Sequence, residues 1–379
     1  MKTKIRDKDI FNSSDNLEDL VKIPNFPVFM GTVDHSYKED IFEDMIWQIG
    51  KDTGMIQLKK LIPLEVLYKS NHSSGEIGKL WDLHHEKFAK FISKFSPNKV
   101  FEIGGAHGIL AKKYEAIDAK IDWTIIEPNP IPVKDSKAKF IKNFFDENFD
   151  YNYKNTTIIH SHTLEHVYDP NIFLKTINKI LSKDEFHIFS VPNMNEMIKR
   201  KYTNALNFEH TYFLTEQFLD DYLENNNFDI IDKEYFLDDH SIFICTKKKE
   251  NFANSQILKK NYYSENKKKF IEFQKYYKNL INDINKKINE EKENIYLFGA
   301  HIFSQYLITL GLNQKKIKYI LDNDVKKQKK RLYGSNLIVE DPSILNKESC
   351  PLVILRAGVY TDEIKKQISD EINKNCRYI

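Results

Sequence analysis

Three short stretches of this 379-residue chain hold residue types that can do chemistry at useful spacing. The first is FEIGGAHGIL, which sets Glu102, Gly104, Gly105, His107 and Gly108 between an apolar run and a helical pattern. Glycines are needed where backbone approaches a ligand closely or takes a positive φ. Glu127 ends WTIIEPN, nineteen residues after Gly108, where a carboxylate can accept from both hydroxyls of an adenosine ribose. The second stretch, HTLEHV, puts His162, Glu165 and His166 exposed at the mouth of the same expected sheet, with Thr163 in the same segment. The third, NALNFEHTYFLT, carries Asn207, Glu209, His210 and Tyr212. A histidine titrates near neutral pH, so His210 can take a proton from a hydroxyl, with Glu209 to orient it. His166 offers a second base or a hydrogen bond. Each feature also has a plain structural reading, as a packing turn or a satisfied core histidine. Two histidines on loops at one sheet end tilt the balance towards function.

Other polar groups are less committed. LYKSNHSSGEIG presents Tyr68, His72 and Ser73 on a loop that either lines a pocket or is ordinary surface, and His240 opens the run SIFICTKK. His84 and His85 have no comparable placement, and His160 sits inside an apolar strand as a structural residue.

These residues need elements to hold them. Residues 1–75, with Pro24, Pro27 and Pro63, read as a small β-rich or mixed lobe. A helix follows in EIGKLWDLHHEKFAKFISKF, with Ile77, Leu80, Leu83, Phe88, Phe91 and Ile92 as its apolar face. After Pro97, the runs KVFEIG, DWTIIEPN, TTIIHSHTLEHV and EFHIFSVPN read as strands alternating with helices over GAHGILAKKYEAI and NIFLKTINKIL. FDIIDKEYF and SIFICTKK close the unit as a hairpin. The fold class is therefore α/β, a mostly parallel sheet covered on both faces over residues 76–250. Residues 251–292 are polar, free of Gly and Pro between 256 and 292, and read as a connecting helix with a solvated lysine face. Residues 293–379 repeat the strand–glycine–helix–strand–acid order with Gly299 and Asp322, a second Rossmann-like domain. One glycine where a dinucleotide fingerprint has three leaves a nucleotide contact or a structural role.

Composition removes several classes. Lys+Arg is 57 against Asp+Glu 55, a net charge of +2, so nothing suggests a nucleic-acid partner. Cys245, Cys350 and Cys376 are far apart, so neither a disulfide framework nor a cysteine zinc site is expected. No apolar run approaches the roughly 18 residues of a membrane span, and no apolar segment follows the basic start, so a cytoplasmic location is expected.

The pattern E-x-G-G-x-x-G resembles the cofactor loop of class I S-adenosylmethionine methyltransferases. Across nearly the whole chain the motifs resemble the bacterial nucleotide-sugar C-methyltransferases. EIGGAHGIL is similar to their E-I-G-S-N-D-G-x-L-L loop, HTLEHV to N-x-L-A-H-V, and NFEHTYF to Y-H-E-H-x-S-Y-F. DDHSIFI is weakly similar to a G-G-S strand start, and the segment from IYLFGAHIFSQYL to ILDNDVKKQ to the C-terminal signature. The resemblance implies a zinc-bearing N-terminal lobe, a class I core, and a Rossmann-like C-terminal domain that helps hold the nucleotide. It implies S-adenosylmethionine bound by Glu102, Gly104, Gly105, His107, Gly108, Glu127, His162 and Thr163. His210, His166 and Glu209 would be catalytic, and Tyr68, His72, Ser73, Asn207, Tyr212 and His240 would line the substrate site. Two departures matter. Gly50 and Thr53 replace the first zinc cysteines, so no metal is expected. Asn207 replaces the tyrosine that the family associates with carbanion chemistry, while His210 is kept. That favours O-methylation of a nucleotide-linked sugar for a surface polysaccharide. The alternatives are C-methylation of a 4-keto nucleotide deoxysugar and a non-catalytic nucleotide-sugar binder.

Overall fold

In the computed structural model, described residues are 3–68, 78–238, 240–249 and 258–379. The N-terminal segment forms a three-stranded antiparallel sheet from β1 (Leu17–Pro27), β2 (Phe42–Gly50) and β3 (Ile56–Leu58). Helix α1 (Lys79–Ser93) then leads into the central unit. Its strands are β4 (Lys99–Ile103), β5 (Asp122–Ile126), β6 (Lys139–Ile141), β7 (Thr157–Ser161), β8 (His187–Pro192), β9 (Phe228–Phe236) and β10 (Ser241–Lys248). They lie in the order β9-β10-β8-β7-β4-β5-β6. β4 to β8 are mutually parallel; β10 runs antiparallel to both β8 and β9.

Their composition explains the sheet. VFEI, WTII and TIIH are buried on both faces, as parallel strands roofed by helices must be. The crossover helices include α2 (Ile109–Tyr114) and α3 (Pro170–Ile180). Asp169 caps α3 by accepting from the Ile172 amide at 2.9 Å, with Pro170 at the first helical position. The phase of α1 differs from the expected one. Leu83 is 38% exposed, while His84, His85 and Phe88 face the sheet, because the stripe that packs runs through Phe88, Phe91 and Ile92.

The long helix runs over Tyr263–Glu290, with a buried stripe of Phe270, Phe273, Tyr277, Ile281, Ile284 and Ile288. That stripe enters one continuous core with Phe26 and Trp47 of the N-terminal sheet and Leu297 and Tyr306 of the C-terminal domain. The C-terminal domain is a five-stranded parallel sheet built on Ile295–Phe298. The N-terminal segment is therefore no separate ball. Arg331 of the C-terminal domain donates to both oxygens of Asp40 at 2.7 Å, and Thr32–Val33 pairs with Arg331–Leu332. No described helix is long and apolar enough to cross a membrane.

Candidate active site

A cavity of about 660 Å³ opens at the carboxyl ends of β4, β5 and β7. At one end is the turn between β4 and α2. Gly104 has φ +70°, and a Cβ there would fall 2.9 Å from the Thr163 hydroxyl. A Cβ on Gly105 would lie 2.6 Å from the carboxyl carbon of Glu102. Both positions thus demand glycine, and the bare backbone is left facing the cavity. Glu102 lines the cavity, but is 2% exposed and accepts from the Trp123 indole N–H at 2.8 Å. It supports the turn from beneath. Glu127 accepts from the amides of Ala106 and Asn129, both at 3.2 Å, which fixes its carboxylate at the cavity edge. Burial raises its pKa, opposed by those two amides. Asn129 in turn donates to the Tyr68 carbonyl at 2.7 Å, tying this end to the N-terminal segment. A glycine-rich turn with bare backbone at Gly104 and Gly105, beside a fixed carboxylate with spare lone pairs, suits an adenosine-bearing cofactor.

The other end gathers residues from distant segments. Just after β7, His166 stands with its ring 4.8 Å from that of His210, at 84°. His166 Nδ1 lies 3.2 Å from the Tyr68 hydroxyl and 3.6 Å from a Glu209 oxygen. Burial lowers the pKa of His210, with the Glu165 carboxylate opposing, so this imidazole stays neutral below the ordinary range. Burial likewise pushes the Glu165 carboxyl up to about 7, against the pull of His210. Asn207 holds the loop: its side-chain oxygen accepts from the amides of Glu209 at 2.7 Å and His210 at 2.9 Å. From behind, buried Arg6 donates to the carbonyls of Thr211 at 2.8 Å and Tyr168 at 2.9 Å. His301, Phe303, Gly358 and Tyr360 of the C-terminal domain complete the wall.

Several expected residues sit elsewhere or act otherwise. Tyr212 does not line the cavity; it is 0% exposed and its hydroxyl donates to the Leu164 carbonyl at 2.5 Å, so its side chain packs away from the cavity. Glu165, expected at an exposed mouth, is fully buried between His162 and His166. Asn207 lines the cavity, but its oxygen is spent on the loop's own amides. His240 also lines it, with its ring packed on Trp81 and His84. His162, at φ +50°, and Thr163, bonded to the Ile103 carbonyl, border the glycine turn, and His107 lines the cavity beside them. His72 and Ser73 lie outside the described residues. Sequence inspection missed Trp81, His85 and Asn129 in the wall. For the first two the available signal was helical phase: Trp81, His85 and Phe88 fall on one face with the buried stripe.

The strand order, with one antiparallel strand inserted next to the edge, and the glycine turn after the central strand define a class I methyltransferase core. Family models agree. One described as a methyltransferase domain matches residues 78–233, and one described as a C-methyltransferase C-terminal domain matches residues 242–379. Residues 78–233 thus form a methyltransferase domain with the class I fold, joined to a C-methyltransferase C-terminal domain over residues 242–379. No curated protein matches the sequence. Among solved structures, an S-adenosylmethionine-dependent methyltransferase from Clostridium acetobutylicum is 12% identical, covering 44% of this chain and 92% of its own, with a TM-score of 0.35. A putative one from Listeria monocytogenes is 14% identical, covering 44% of this chain and 100% of its own, with a TM-score of 0.35. The plantazolicin methyltransferase BamL is 13% identical, covering 45% of this chain and 87% of its own, with a TM-score of 0.37.

Proposed function

We propose that the protein methylates a hydroxyl of a nucleotide-linked sugar used for a bacterial surface polysaccharide. The observation that carries this reading is the pair of perpendicular imidazoles, His166 and His210, in the same cavity as the glycine turn and Glu127. When bound, S-adenosylmethionine supplies an electrophilic methyl group on a sulfonium. Glu127 and the backbone of residues 104–108 hold the adenosine and methionine parts. His210 is neutral and buried, so it accepts the hydroxyl proton of the acceptor as the oxygen becomes nucleophilic. Tyr68 and Glu209 flank His166 and fix its ring, and His166 orients the acceptor. Most of the acceleration comes from holding both reactants in line, since the methyl group is already activated. The C-terminal wall at His301, Phe303 and Tyr360 favours an acceptor long enough to reach a second domain, as a nucleotide-linked sugar is.

C-methylation beside a keto group is the second reading. The C-methyltransferase C-terminal domain favours it, as does the Tyr68 hydroxyl on His166, a phenol near the place where an enolate oxygen would develop. Reactions of labelled S-adenosylmethionine with keto and non-keto nucleotide sugars separate the two, with NMR of the product placing the methyl on oxygen or carbon. Transfer to oxygen of a non-keto sugar supports the first reading. Transfer to carbon of keto sugars alone replaces it with the second, and transfer to neither class overturns both.

A further inference from the structure

We propose that His84, His162 and His240 form a divalent transition-metal site beside the cavity, with Zn²⁺ as its preferred ion. The three imidazoles come from α1, from the turn after β7 and from the residue before β10. One ring nitrogen of each lies within 4.8 Å of the others. Ring centroids are 5.3 Å apart for His84–His162 and His84–His240, and 6.0 Å for His162–His240. Zinc–nitrogen bonds of about 2.0–2.1 Å at tetrahedral angles would set ligand nitrogens roughly 3.4 Å apart, within reach of modest side-chain rotation.

The surroundings match what ligating histidines need. His84 is 0% exposed and its Nδ1 has no hydrogen-bond partner, while its Nε2 lies 3.1 Å from the Ser190 hydroxyl. One nitrogen is thus held by an outer partner and the other awaits a Lewis acid. His162 has Nδ1 3.3 Å from Glu165, the carboxylate–histidine order common behind bound metals, and Nε2 against the Ser241 hydroxyl. The Ser241 hydroxyl lies 2.8 Å from His162 Nε2 and 2.6 Å from His240 Nδ1. Ser241 thus bridges the two rings, donating to one and accepting from the other, and would move to an outer contact when an ion takes a ring nitrogen. Trp81 packs its ring against all three imidazoles, 4.9–5.0 Å away, and shields them from solvent. His162 and His240 line the cavity, which gives the ion its way in. Three imidazoles without thiolates suit Zn²⁺ or Co²⁺ and not Mg²⁺ or Ca²⁺. The expectation of a metal-free chain rests on the missing cysteines and on the lack of a histidine pair in the first 70 residues; these ligands converge only in the fold. Such an ion would pin α1, and with it Trp81 and His85, to the sheet.

The test uses the full-length protein, stripped with chelator and titrated with Co²⁺, then Zn²⁺. The expected result is one Co²⁺ per chain with visible bands of a four-coordinate ion, displaced by one equivalent of Zn²⁺. H84Q and H240Q should each abolish the bands, and S190A should weaken Co²⁺ binding about 10- to 100-fold. The H166A/H210A double variant should keep them, because neither residue is among the three ligands. If a ligand variant fails to fold by circular dichroism, a Zn²⁺-dependent rise in melting temperature of wild type and of H166A/H210A carries the test. Less than one ion per chain overturns the site. So does a signal lost in H166A/H210A and kept in H84Q, which would put the ion at the acceptor end.

Discussion

The cofactor end of the cavity is made mostly by one continuous segment, residues 102–129, in which backbone amides and one carboxylate face inward. The acceptor end is assembled from Arg6, Tyr68, His166, residues 207–210 and the C-terminal wall, which are scattered through the whole chain. A local βα turn is fixed by its own glycines, so its geometry survives wherever the sheet forms. The acceptor end exists only when three parts of the chain are docked. Changes at the first should therefore register as cofactor affinity, and changes at the second as turnover.

The largest effect is expected at His210. Replacing it with alanine removes the general base and should lower turnover about a hundredfold to ten-thousandfold, with the affinity for S-adenosylhomocysteine unchanged. H166A is the counterpart; a larger loss there would move the base to His166. Wild-type turnover should fall on the acid side only below pH 6.5, since burial keeps His210 neutral to lower pH than a free imidazole. A rate that already declines above that pH would remove His210 as the base.

Glu127→Ala is the mirror experiment. It leaves the ribose hydroxyls without an acceptor, at a cost of about 2–3 kcal/mol, or roughly a hundredfold in calorimetric affinity for S-adenosylhomocysteine. Turnover at saturating cofactor should change little. An unchanged dissociation constant would break the contrast between the two ends.

Arg6→Met probes docking. It strips donors from the carbonyls of Thr211 and Tyr168 while keeping most of the buried volume. Melting should show a loss of about 1–3 kcal/mol. Turnover should drop with the cofactor constant unmoved; weaker cofactor binding instead would show that the two ends are coupled.

A last test lies outside both ends, and near neutral pH its effect vanishes. His160 Nε2 and His187 Nε2 face each other at 3.0 Å inside the sheet, on β7 and β8. Burial holds both neutral, His160 well below the ordinary range and His187 down to about 3. In the unfolded chain both protonate near 6.5, so the unfolded state binds more protons at acid pH. Stability is thus full above pH 6.5 and falls as pH drops below it, because only the unfolded chain takes up these protons. A H160N/H187Q variant should show a shallower acid slope in denaturant titrations. An identical slope would reject the neutral pair.

The α/β class, the long helix and the glycine turn facing Glu127 are legible in the residue pattern. Glycine position, an acid at a strand end and apolar strand runs are local signals that do not wait for packing. Asn207, Glu209 and His210 were legible as a loop with chemistry, because their types are polar where the neighbouring pattern is apolar. What each side chain does there was decided by the tertiary structure. Tyr212 turned inward to the Leu164 carbonyl, and Glu165 went under the histidines. His84 and His85 faced the sheet because α1 rotates to bury Phe88 and Phe91 against it. Rotation of a helix and docking of the C-terminal wall depend on packing between segments far apart in the chain. No local spacing encodes which neighbours a buried polar group will meet.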